Sequence, residues 1–221
     1  MRREGEAGGR GWRSVSAALA ALILALTIDA PASAQGVGAS AAGGEAGRGS
    51  VSVTAGLGIP SGSAFRDIYG GESIPVGAQV NVRILPMGLG AFGGVRWVSR
   101  TGEAIAEGAS PAAAEPVTFG MTSWRLGPSW TTARGAWGLG LAGGISYNRY
   151  REEWESASLR QEDSGVGAVI QGTIERLLTR RLAALVRVEH IFFQADPAEA
   201  TDLPKATLGA TDLVGGIAFR F

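Results

Sequence analysis

The stretch that decides the fold is the last one, residues 212–221, DLVGGIAFRF. Leu213, Gly215, Ile217, Phe219 and Phe221 fall on one side of it, and Asp212, Gly216, Ala218 and Arg220 on the other. A period of two is the mark of a strand with unlike faces. Domain ends are usually loose and polar. This one reads as a strand that needs a partner along its whole length.

Seven further segments upstream share the pattern. In residues 50–59, Val51, Val53, Ala55, Leu57 and Ile59 oppose Ser52, Thr54 and two glycines. In 76–85, Val76, Ala78, Val80, Val82 and Ile84 oppose Gln79, Asn81 and Arg83. The segment 89–98 sets Leu89, Ala91, Val95 and Trp97 against Arg96 and glycine. In 117–130 the apolar parity starts at Val117, Phe119 and Met121, then blurs at Ser123-Trp124-Arg125. A β-bulge near 123–128 is the expected cause. The segments 137–148, 166–175 and 182–193 bring Asn148, Gln171, Thr173, Glu175, Arg187 and Glu189 to the polar face.

The connections alternate in length: short turns at 85–88, 131–136 and 176–181, long polar loops at about 60–75, 99–116, 149–165 and 194–207. Eight strands joined this way form an all-β, antiparallel up-and-down barrel, in which an even count lets the last strand close on the first. The 35 glycines sit within the alternating runs, where curved sheets use them, and 45% hydrophobic residues argue against disorder. The polar face is small and charged. The aromatics Trp97, Trp130, Trp137, Tyr147, Phe192, Phe219 and Phe221 gather near strand ends, as interfacial girdles require. Together these features predict a transmembrane barrel, apolar outside and polar inside, over residues 50–221.

Residues 1–34 read as a signal peptide: Arg2, Arg3, Arg10 and Arg13 precede an apolar run from Val15 to Ile28 and a cleavage site at Ala32-Ser33-Ala34. The apolar run is shorter than the roughly 20 residues of a spanning helix. Residues 35–49 read as a flexible lead-in. Zero net charge gives no general attraction to nucleic acid. The lack of cysteine excludes disulfides and thiolate metal sites.

The chain resembles the small eight-stranded bacterial outer-membrane barrels, of the OmpA transmembrane domain, OmpX and OmpW type, through its architecture, its leader and its terminal GIAFRF. The resemblance implies a monomer in the outer membrane, surrounded by lipid and lipopolysaccharide, with short turns in the periplasm and long loops outside. It also implies that Phe219 and Phe221 carry the signal read by the outer-membrane assembly machinery. It implies no cofactor, and members of the family do many different things.

Interior charges must pair, because an unpaired charge in a dry site costs several kcal/mol. Register at the turns places Asn81 beside Phe92, Gln79 beside Gly94, Gln171 beside Arg187 and Glu175 beside Ala183. We expect a lower cluster of Arg83, Glu175 and Arg220 and a middle cluster of Arg96, Arg187, Glu189 and Asp212. Their reading as a stabilising plug stands ahead of a narrow polar pore. The single histidine, His190, faces outward near the rim, the place of a lipid A-modifying site, but Phe192 stands where the deacylases' His-x-Ser needs serine. It reads as an interfacial histidine. Glu152, Glu153 and Glu155 read as a solvated loop, and Phe65, Ile68, Tyr69 and Trp154 as exposed apolar loop groups. The expected function is non-enzymatic, structural or surface-interacting. A narrow channel for small or hydrophobic solutes is the alternative, with lipid A chemistry behind it.

Overall fold

The structure, a computed structural model, describes residues 48–104, 115–154, 159–195 and 206–221. The expected signal peptide, residues 1–34, and residues 35–47 of the expected lead-in lie outside the described residues.

Eight strands carry the fold: β1 (Gly49–Pro60), β2 (Val76–Arg83), β3 (Leu89–Ala104), β4 (Glu115–Arg134), β5 (Trp137–Trp154), β6 (Leu159–Leu177), β7 (Leu182–Phe192) and β8 (Ala210–Arg220). Each pairs antiparallel with its chain neighbour, and β8 pairs with β1 from Ser50↔Arg220 to Pro60↔Ala210, which closes the barrel. Gly49 and Phe221 exchange two backbone hydrogen bonds of 3.0 Å at the seam. The terminal alternation is the closing strand, and closure leaves no unpaired edge.

Short turns and both strand termini of the seam lie at one end, here the turn end. The β4–β5 connection is Gly135-Ala136, with Gly135 at φ +60°, the residue a type II′ hairpin asks for at its first central position. The β6–β7 turn is set by Thr179, whose Oγ1 accepts from the N–H groups of Arg181 and Leu182 at 3.3 and 3.0 Å. This centres the turn one residue later than the sequence reading. The pairs are therefore Gln171↔Glu189, Thr173↔Arg187 and Glu175↔Leu185, in place of Gln171 with Arg187 and Glu175 with Ala183. The β2–β3 register is Gln79↔Gly94 and Asn81↔Phe92, as read.

Two features at the opposite, loop end differ from the sequence reading. β3 to β6 run well past their apolar segments, so much of 99–116 and 149–165 is strand. Beyond the apolar band the outward face turns polar while the inward face mixes Tyr150 and Trp154 with Glu152, so the alternation that marks a strand fades although the ladder continues, for example Arg151↔Glu162. The first loop contains a helix, α1 (Ser63–Tyr69). Its Phe65, Ile68 and Tyr69 share one helical face and turn in upon the barrel mouth.

The expected bulge at 123–128 is absent. β4 holds one register against β3 and β5 throughout. Val117, Phe119 and Met121 are not on the outward face: all three point inward and are buried, followed on the same face by Ser123, Arg125 and Ser129. The parity blurs because the inner face changes from apolar to polar along the strand. Gly127 and Gly144 meet across β4 and β5 on that face. A Cβ on Gly144 would lie 2.1 Å from the Leu126 carbonyl oxygen. Register places Phe92, Gly127, Gly144 and Val169 in one row, so two bulky inner side chains flank two positions that have none.

Candidate functional site

The outward face is apolar all round. Val51, Val80, Leu126, Leu139, Ile145, Val166, Ile170, Val188 and Ile217 are all exposed on it. Aromatics bound this belt on both sides. Trp97, Tyr147 and Phe192 stand toward the loop end, joined by Trp124, whose ring lies 5.7 Å from that of Tyr147. Trp130, Trp137, Phe219 and Phe221 stand toward the turn end. Trp130 donates through its indole N–H to the Met87 carbonyl at 3.0 Å, and the Arg176 guanidinium lies 5.5 Å from the Trp137 ring. Trp137 and Tyr147 are ten residues apart on β5. At about 3.3 Å per residue and a tilt of about 40°, that is roughly 25 Å of height, the thickness of an outer-membrane apolar band.

The lumen is filled in layers. At the loop end Phe119, Tyr150, Phe193, Val117 and Met121 pack with Tyr69, Phe65 and Ile68 into an apolar plug. The ring centroids of Phe65 and Tyr69 lie 4.8 and 5.5 Å from that of Phe119. Trp154 packs on the same cluster. The groups read as exposed loop aromatics are thus the lid of the plug, because an apolar helix face over an open mouth has nowhere drier to go. The Tyr69 hydroxyl donates to Glu152. Burial first, then that hydrogen bond, raises the phenol well above its usual pKa. Glu153 pairs with Arg151 at 3.3 Å and with Arg160 at 3.9 Å. Glu155 lies outside the described residues. Just above the outer aromatics, Glu162 is held between Arg149 (2.8 Å) and Arg160, and hydrogen bonds from both guanidinium groups lower its carboxyl to about 2.

Beneath the plug is a charged layer. Arg96 grips Asp212 with two hydrogen bonds of 2.5 and 3.0 Å, and Arg125 pairs with Glu189. All four side chains are almost wholly buried. The sequence reading grouped Glu189 with Arg187 and missed Arg125. It is Arg125 that takes Glu189, since β4's unbroken register turns it inward. Arg187, 2% exposed, instead donates to Thr173 Oγ1 at 3.2 Å and Ser52 Oγ at 3.4 Å. Toward the turn end Arg220 pairs with Glu175 at 2.6 Å. Among the described residues Arg83 has no carboxylate partner, and its Nε is buried with no hydrogen-bond partner. These last residues line a cavity of about 90 Å³ near the turns.

His190 lies on the outward face. Its Nδ1 is 2.8 Å from Thr211 Oγ1, and its ring meets Phe192 edge-on at 4.2 Å. Asp212, next in sequence to Thr211, is turned to the lumen and engaged by Arg96, so it does not orient the imidazole. Among the described residues no group of three histidine or acidic side chains could hold a metal ion, and no helix is long and apolar enough to cross a membrane.

Comparison with solved structures matches this architecture to several known proteins. Neisserial surface protein A superposes with a TM-score of 0.56 at 11% identity, over 78% of this chain and 97% of that one. OprG of Pseudomonas aeruginosa gives 0.56 at 11%, over 79% and 97%. The chain has the fold of the eight-stranded outer-membrane barrels. A major outer membrane protein of Thermus thermophilus gives 0.51 at 14% identity, over 80% and 100%. No protein-family model matches the chain, and no curated protein matches it. At such identities the likeness to outer-membrane barrels rests on the backbone; the lumen described above belongs to this chain's own side chains.

Proposed function

We propose that the protein is a non-enzymatic, non-conducting integral outer-membrane barrel that works through the surface built at its loop end. The observation that carries this is the pairing of an outward apolar belt, bounded by two rows of aromatics, with a lumen blocked at two levels. The belt fits a bilayer and is unfavourable in water, where so large an exposed apolar surface would aggregate. Among the described residues the plug and the ion-pair layer fill the lumen at two levels, which supports a sealed barrel. A channel would require moving the Phe119–Tyr69–Phe65 cluster and breaking Arg96–Asp212 and Arg125–Glu189 together. What stays accessible from outside is the rim of β3–β6 with its Arg149, Arg151, Arg160, Glu153 and Glu162. Among the described residues His190 has a hydroxyl partner and no carboxylate to orient it, which supports a packing role.

The test is refolding into phosphatidylcholine vesicles loaded with a small dye. The expected result is a compact species that changes gel mobility only on boiling, with the dye retained. Dye loss in step with folding would overturn the sealed-barrel reading. Incubation with lipopolysaccharide should leave the acyl pattern of lipid A unchanged for parent and His190→Ala alike. Acyl processing by the parent that His190→Ala abolishes would overturn the non-enzymatic part.

A further inference from the structure

Among the described residues, the inner wall between the plug and the turns carries five arginines, Arg83, Arg96, Arg125, Arg187 and Arg220, against three carboxylates, Glu175, Glu189 and Asp212. Each carboxylate is taken by one arginine: Asp212 by Arg96, Glu189 by Arg125, Glu175 by Arg220. Arg83 and Arg187 are left over. Arg187 is 2% exposed and hydrogen-bonded to two hydroxyls, with Glu189 and Glu175 acting on it only from beyond ion-pair contact. Arg83 has a buried Nε with no partner. Both line the same cavity of about 90 Å³, together with Arg48, Arg220 and the carboxylate Glu175 that Arg220 neutralises. A buried guanidinium with no carboxylate in direct contact is unfavourable, and so is a buried guanidinium N–H with no acceptor. Arginine's planar fork of donors suits oxyanions in particular.

We propose that this cavity is a binding site for a small soluble oxyanion of the inorganic phosphate class, held chiefly by Arg83 and Arg187. A water needs about 10–15 Å³ of such space, so the cavity admits several waters or one tetrahedral anion. It lies inside the ring of strands, reached from the turn end, so a phospholipid headgroup tethered to its chains in the bilayer does not fit. Serine and threonine hydroxyls at Ser52 and Thr173 already orient Arg187, which fixes its donors before the anion arrives. The site does not depend on what the loop end does.

The experiment is thermal unfolding of the protein in a zwitterionic detergent, with inorganic phosphate titrated against chloride at matched ionic strength. Phosphate is expected to raise the midpoint by about 4 °C at ten times its Kd. Arg83→Gln is expected to weaken that Kd about tenfold or more, the loss of one charge-assisted contact. Arg149→Gln, at the opposite end, should keep the parental response. Phosphorus NMR line broadening of the added phosphate gives a second readout that does not depend on stability, and it serves Arg187→Gln even if that variant melts early. Equal midpoints in phosphate and chloride for the parent, or a parental response in Arg83→Gln, would overturn the proposal.

Discussion

At the scale of single residues, Arg125 shows what the lumen demands. The side chain of its partner Glu189 is only 3% exposed, so removing the guanidinium leaves a buried carboxylate without its ion-pair partner. Arg125→Met should destabilise the barrel by about 3–5 kcal/mol in urea unfolding, while the double exchange Arg125→Met with Glu189→Met should recover most of that loss. A double variant no more stable than the single one would show that the pair is not the reason for the cost. Glu175→Gln acts on a pair that is about one-fifth exposed, so solvent screens it and the expected loss is smaller, about 1 kcal/mol. The residues of this layer were mostly legible in the sequence, because a charge at an inward parity is conspicuous. Arg125 was hidden by its neighbours: Trp124 points outward and Ser123 is small and polar, so local pattern alone gave no phase for the strand there.

At the scale of elements, α1 and the β4–β5 pair carry the testable content. Tyr69 ties the helix to β5 through Glu152. Its raised pKa means the folded state keeps the phenol proton longer than the unfolded chain does. The stability it contributes is therefore complete below the unfolded value of about 10 and is lost as pH climbs above it. The parent and Tyr69→Phe should differ in midpoint by about 1 kcal/mol equivalent at neutral pH, and the two should converge above pH 10. Parallel curves through that range would remove the hydrogen bond as the cause. Gly144 makes a second case. Any Cβ there meets the Leu126 carbonyl at 2.1 Å, so Gly144→Val should cost about 1–3 kcal/mol or more, read as a lower urea midpoint. A neutral result would mean that β4 and β5 can part locally without loss. Neither element was legible from alternation. The helix was concealed by a search for period two, although Phe65, Ile68 and Tyr69 at i, i+3 and i+4 were the available sign. The strand extensions were concealed because their outward face turns polar and their inward face mixes Tyr150 and Trp154 with Glu152, which removes the contrast on which the pattern depends.

At the scale of the whole molecule, the count of strands, their antiparallel order and the closure of β8 on β1 all follow from one repeated constraint. Each strand must place small or polar groups inward and apolar groups outward, and the closed sheet must leave no free edge. That constraint is global, so it survived the errors of phase in β4 and of one residue in the β6–β7 turn. The plug was not legible in the same way. Val117, Phe119, Met121, Tyr150 and Phe193 are apolar residues at inward positions, and only the three-dimensional register shows that they converge beneath α1. This plug, with the ion pairs below it, seals the lumen, and ionic conductance reads that seal without intermediary. The refolded protein, shown to be inserted by its heat-modifiable mobility, is recorded in planar bilayers. A sealed barrel gives a flat baseline with no unitary steps; stable single-channel openings from the same preparation would mean that the lumen conducts.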